Sequence, residues 1–321
     1  MINLYYNFLR LLRKICRQYI LKKYTEIPEC EQDADVAALL IYNALISDKP
    51  CMIARFGSTE LACLNNYISV KFHKREYLNY IKGKIDSWWW NDAIIKQMQQ
   101  WSGFFPPTQQ KIEQFCNLML QEIPHVDILG SYLASETKYE SYLGVHTKIN
   151  LELLNPYFSH VPWTKALEGK RVLVVHPFAQ TIKEQYMVRE RLFKNNLLPS
   201  FQLLTIKAVQ TIAGIESEFA DWFEALESMK LEIDNTEYDI CLIGCGAYGF
   251  PLAAHVKRRG KKAVHLGGSL QLLFGIKGSR WERENYNVKY NYTKLINEYW
   301  VKPGLEEKPK NAHTVENACY W

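Results

Sequence analysis

No apolar run in this chain approaches the roughly 20 residues that a helix needs to cross a bilayer. The first apolar residues are broken repeatedly by Arg and Lys, so no secretory leader is expected. Eight cysteines are present, but there is no CxxC pair and no Cys/His group with zinc spacing. Cys51 and Cys241 lie inside apolar runs, where cysteine acts as a small hydrophobe, which favours a reduced, cytoplasmic setting over a disulfide scaffold. A GxSxG elbow, an HExxH pair, a P-loop and an EF-hand loop are all missing. Charge of one sign is scarce: 39 basic against 34 acidic residues leave a formal +5 over 321 residues. No basic stretch recurs through the body of the chain, so a nucleic-acid partner is not expected.

What is present is an ordinary globular composition, 48% hydrophobic and 23% charged, enriched in aromatic side chains that suit sugar or base stacking and core filling equally. Residues 1–25 read as a basic amphipathic helix. Leu4, Phe8, Leu11, Leu12, Ile15, Tyr19 and Ile20 fall near helical spacing, while Arg10, Arg13, Lys14, Arg17, Lys22 and Lys23 supply a polar face. Such a helix can lie on an anionic membrane surface, or pack on the domain or a second subunit with its basic face solvated. Residues 26–302 read as a single α/β domain, divisible into a helical half (36–165) and a Rossmann-like half (166–302). Residues 303–321, polar and containing Pro303 and Pro309, read as a C-terminal tail.

Strands are predicted at Cys51–Phe56, Val126–Leu133, Val172–Val175, Phe201–Val209, Asp239–Ile243 and Ala263–Leu266. Helices are predicted at Val36–Leu45, from Ser58 onward with Ser58 or Thr59 as N-cap, through most of 70–122, and at Thr181–Asn195, Glu216–Lys230 and Phe250–Arg259. The alternation predicts an α/β, Rossmann-like, mostly parallel sheet flanked by helices.

Four strand ends carry chemistry-bearing residues. Gly244-Cys245-Gly246-Ala247-Tyr248-Gly249 is formally GxGxxG between strand and helix, which permits close phosphate approach. The next strand carries His265 rather than an acid for a ribose hydroxyl, which disfavours a nicotinamide or flavin cofactor. The glycines could instead serve only tight strand–helix packing. Arg55-Phe56-Gly57-Ser58-Thr59-Glu60 places a cation, a glycine, two hydroxyls and a carboxylate at another strand end. Arg55 could clamp a phosphate and Glu60 could bind a metal or act as a base; equally, Arg55 and Glu60 could be an ion pair with Ser58 as cap. His176 follows a third strand and could bind phosphate or move a proton, although a structural role is the commoner one for a lone histidine. His265, Gly267 and Gly268 open a last helix, with Lys277 and Arg280 near enough to neutralise a diphosphate or to be a solvated face.

The segment Arg55–Glu60 resembles the R-[FY]-G-D-G-E segment of the GT-D-type bacterial glycosyltransferases, and Leu242–Gly268 is similar to that family's later turn, helix and strand. The stretches HPFAQTIKEQY, LQLLFGIKGSRW and ENACYW resemble proteins encoded alongside bacterial surface-polysaccharide genes. The resemblance implies a nucleotide-diphospho-sugar held by Arg55 and the Gly244–Gly249 turn, and a divalent Mn²⁺ or Mg²⁺ held by an Asp-x-Glu pair. Ser58 stands where that family has Asp, so only Glu60 of the pair remains. The expectation is a cytoplasmic glycosyltransferase, peripheral at the inner membrane face, acting on a saccharide or lipid-linked acceptor. Ser58 and Glu60 are its catalytic candidates. Transfer of a phosphate or pyruvate, or a non-catalytic assembly role, stays open.

Overall fold

Short apolar runs, each closed by glycine, histidine or a polar turn, become strands because their side chains are buried on both faces of one sheet. The computed structural model describes residues 2–20, 28–144, 146–309, 311–315 and 318–321. Among them, β1 (Cys51–Arg55), β2 (Ile128–Ser131), β3 (Thr147–Asn150), β4 (Arg171–His176), β5 (Gln202–Lys207), β6 (Ile240–Ile243) and β7 (Lys262–His265) form one sheet in the order β3-β2-β1-β7-β6-β4-β5. Every pairing is parallel. The expected parallel α/β fold is therefore present. Residues 36–165 and 166–302 contribute to the same sheet, since β1 pairs with β7.

The helices are α1 (Ile2–Ile15), α2 (Ala34–Ile46), α3 (Ser58–Phe72), α4 (Tyr77–Ile81), α5 (Asp92–Ser102) and α6 (Gln109–Glu122), then α7 (Ala179–Tyr186), α8 (Arg189–Leu192), α9 (Trp222–Asp234), α10 (Gly249–Arg258) and α11 (Leu270–Leu273). Alternate strand residues point to opposite layers. Met52, Ala54, Leu173, Val175, Cys241 and Ile243 pack under α3, α5, α6, α9 and α10. Ile53, Val172, Val174, Leu242 and Val264 pack under α2, α7, α11 and the C-terminal segment. Burying each of the larger side chains among them stabilises the fold by roughly 1.5–3 kcal/mol.

Several elements differ from their expected bounds. The expected helix Thr181–Asn195 is two helices, α7 and α8, and the chain then turns through Asn195 and Asn196 at φ +62° and +50°, which asparagine tolerates better than most residues. α9 starts at Trp222 rather than Glu216 because Asp221 caps it, its side chain accepting from the N–H groups of Phe223 and Glu224. β3 was not foreseen. The N-terminal helix runs as α1 into a π-helical turn, Cys16–Ile20; Lys22 and Lys23 lie outside the described residues.

Candidate functional site

In an all-parallel sheet every strand ends on the same edge, and ligands bind where successive connections leave toward opposite faces. The chain leaving β1 and β6 goes to one layer, into α3 and α10, while the chain leaving β4 and β7 goes to the other, into α7 and α11. The four strands are adjacent, in the order β1-β7-β6-β4, so their connections diverge. Between them lies a cavity of about 360 Å³, the size of a small-molecule site.

The cavity wall brings together Arg55, Gly57, Ser58 and Glu60 from β1 and α3, His176 from β4, Gly244, Gly246 and Tyr248 after β6, His265, Gly267 and Gly268 from β7 and its turn, and Arg280. Gly249 and Lys277 are not in it. Lys277 is carried away by the bridge that joins Ile276 to Val301, and its ammonium lies 3.9 Å from Glu282.

Arg55 ends β1. Its Nε and Nη2 donate to the Phe56 carbonyl at 3.0 and 2.9 Å, and Nη2 donates to Tyr132 Oη at 2.5 Å. The guanidinium carbon lies 5.0 Å from the Tyr132 ring centroid, a cation–π contact. Neither Arg55 nor Glu60 belongs to an ion pair among the described residues. The ion-pair reading of the segment is thereby removed. The capping reading fails as well: the N-cap of α3 is Gly57, at φ −76°, with no side-chain cap, and Ser58 is exposed. The first N–H groups of this 15-residue helix are left without a side-chain acceptor at the cavity edge, where the helix carries partial positive charge. Glu60 folds back over Gly57: a Cβ there would stand 1.8 Å from its carboxylate oxygen.

The two histidines are buried and neutral. His176 is 3% exposed, and burial pushes its pKa down to about 3. Its Nδ1 accepts from the Phe178 N–H at 3.0 Å, which leaves the proton on Nε2. It can donate a hydrogen bond to a ligand oxygen but brings no charge. His265 is likewise held down to about 3, by burial first and then by the Arg55 cation. It sits 3.3 Å from the Ile243 carbonyl through Nδ1.

The glycines divide by what they face. A Cβ at Gly249 would stand 2.2 Å from the His265 ring, so this glycine serves packing. Gly244 sits where three strand ends meet, 2.6 Å from the Gly267 carbonyl oxygen by the same measure. Gly246 and Gly267 have φ of +57° and +62°, which glycine alone adopts freely. Tyr248 is a packing residue, stacked on Trp222 at 4.9 Å. Gly268 lies under the Tyr320 ring, 2.1 Å from a would-be Cβ, and α11 is only four residues long. The Gly267-Gly268 turn is therefore no open anion-binding helix start.

Tyr132, Tyr286, Tyr320, Trp101 and Trp321 give the cavity aromatic walls that the sequence reading missed. Burial raises the pKa of Tyr286 and Tyr320, and the cations of Arg280 and Arg55, both in the cavity wall, act against it in both. Glu152 also lines the cavity, but its carboxylate accepts from Asn287 and Tyr292. No group of three His, Cys, Asp or Glu suited to a metal occurs among the described residues. Glu60 with the Ser58 hydroxyl is a poor donor set for Mn²⁺ or Mg²⁺.

No family model matches this chain, and no curated protein matches it. Among solved structures, a selenomethionine-substituted domain of unknown function 1792 (DUF1792) is similar over 91% of this chain and 97% of that chain, at 13% identity and a TM-score of 0.34. That degree of likeness carries no argument about the site.

Proposed function

We propose that this chain transfers a sugar from a nucleotide-diphosphate sugar to a saccharide or glycoconjugate precursor of a surface polysaccharide. The observation that carries the reading is Arg55: a guanidinium with no carboxylate partner among the described residues, beside the uncapped start of α3, in a cavity walled by aromatic rings. Such a set suits a diphosphate flanked by flat or ring-shaped groups. The resemblance of Arg55–Glu60 and Leu242–Gly268 to GT-D-type glycosyltransferases supports the same class.

In this reading Arg55 and the α3 N–H groups hold the diphosphate, and His176 Nε2–H donates to one of its oxygens. An acceptor hydroxyl oxygen bonds to the anomeric carbon as the bond from that carbon to the diphosphate breaks. The nucleoside diphosphate departs with the electron pair, and Glu60 takes the hydroxyl proton. The donor set around Glu60 does not fit a protein-held divalent ion, so no step passes through one.

Isothermal titration with UDP-, GDP- and TDP-sugars, with a CMP-sugar as the monophosphate control, with and without Mn²⁺, tests the proposal. Binding of one of the diphosphate donors is the expected result; binding to none of them, or to the CMP-sugar alone, sinks it. Ser58 in place of the family's Asp favours a second reading, an assembly protein that keeps the fold without the chemistry. Unchanged polysaccharide in cells carrying Glu60→Ala would support that alternative.

A further inference from the structure

α1 is packed by one face only. Leu9 and Cys16 are buried, Tyr6 stacks on Trp89 with centroids 4.1 Å apart, and Arg13 donates to the Ile85 carbonyl at 2.8 Å. The other face carries Leu4, Phe8, Leu11 and Ile15, spaced as one helical row, and Tyr19 continues it through the π-helical turn. These side chains are 79%, 57%, 52%, 43% and 76% exposed. Tyr5 meets Tyr77 edge-on at 6.4 Å, which extends the patch to exposed Tyr77 and Leu78. Scattered apolar residues are normal on a surface, whereas a continuous row of large ones marks an interaction site.

The charge exposed beside this row is basic. Arg10 and Lys14 are exposed on α1 and Arg17 on the turn after it, and exposed Lys74 and Arg75 precede Tyr77, while the half-buried Glu76 between them is paired with His73. Residues 1–25 contain no Asp or Glu. A second copy docking through the same face by two-fold symmetry would set these cations against their own copies. An anionic lipid surface instead complements them while receiving the apolar row.

We infer that the outward face of α1, together with Tyr77 and Leu78, docks on an anionic bilayer, with α1 lying in the interface plane. This stands independently of the chemistry proposed for the cavity. The test is flotation of the full chain with vesicles of phosphatidylcholine alone and of phosphatidylcholine with phosphatidylglycerol. The chain is expected to float with the second and not the first, and to be released by salt. Phe8→Glu combined with Leu11→Glu should weaken partitioning by roughly a hundredfold or more, and Lys14→Gln with Arg17→Gln by roughly thirtyfold. The unfolding temperature should not change. If Phe8→Glu lowers it, Leu4→Glu, at the most exposed point of the row, takes its place. Equal flotation with both vesicles, or with neither, overturns the inference. A dimer in sedimentation that Phe8→Glu dissolves would also overturn it, by assigning the face to a second copy.

Discussion

The ends of β1 and β7 are neighbours in the sheet, and in sequence they look alike: a strand, a basic residue or a histidine, glycine, then a helix. In three dimensions they differ. After β1 the helix is 15 residues long and has no side-chain cap, and Gly57 leaves room that only the flexible Glu60 carboxylate enters. After β7 the helix is four residues long, and Gly268 is filled over by Tyr320. A glycine at a strand end thus leaves space that is held either by a flexible side chain able to move or by a fixed ring. What a Cβ would strike decides which.

The largest expected effect concerns the neutral histidines that close the β4 and β7 ends. Both have pKa values near 3 when folded, against 6.5 as the ordinary value. The unfolded chain therefore binds their protons first as pH falls. Stability is fully present above about pH 6.5 and is lost on going down toward pH 3, by roughly 1.4 kcal/mol per pH unit for each histidine. Urea denaturation across this range should show that slope, and His265→Gln should remove about half of it. If the β7 end were instead an open polar site, His265 would be hydrated and the slope would not change with the substitution.

Next in size, Arg55→Ala should weaken nucleotide-sugar binding by roughly a hundredfold, or about 3 kcal/mol, through loss of charge-assisted bonds to a diphosphate. Titration calorimetry checks it, and retained affinity would move the anion site away from β1. Gly268→Ala must displace the Tyr320 ring and should cost about 1 kcal/mol of stability while leaving affinity almost unchanged. A large affinity loss there would show that the β7 turn holds ligand after all. Smallest, Ser58→Asp adds an anion to the first turn of α3 and should raise stability by about 0.5 kcal/mol. It also restores a paired-carboxylate arrangement with Glu60, so calorimetry should show tighter Mn²⁺ binding than in the parent chain.

The core of the fold was readable because its signals are local. β6, its glycine turn, α10 and β7 follow one another as an apolar run, a turn and an amphipathic stretch, and the structure has them within one or two residues of the expected bounds. β3 escaped notice because Thr147–Asn150 is short, polar and at the sheet edge, identified as a strand only by its pairing with β2. Among site residues, Arg55, Glu60 and His176 were legible as strand ends. Tyr132, Tyr286 and Tyr320 were not, since each reaches the cavity through contacts distant in sequence. The segment 303–321 read as a polar tail, yet Val315, Cys319 and Trp321 are buried and the Tyr320 carbonyl accepts from Gln271 at 3.0 Å. A few large anchors outweigh a polar average.

The place of β1 has a consequence for how the protein is made. It stands in the middle of the sheet, but its neighbour β7 is synthesised roughly two hundred residues later, a separation that slows folding. Until β7 emerges, the strand bearing Arg55 has one open side, and while only the first half of the chain exists, three of the four cavity-forming strand ends have not been made. A ribosome-bound first half would therefore hold an unpaired apolar edge and bind no ligand, so it should depend on chaperones. The cavity would then arise late and all at once, when the last strand closes the sheet.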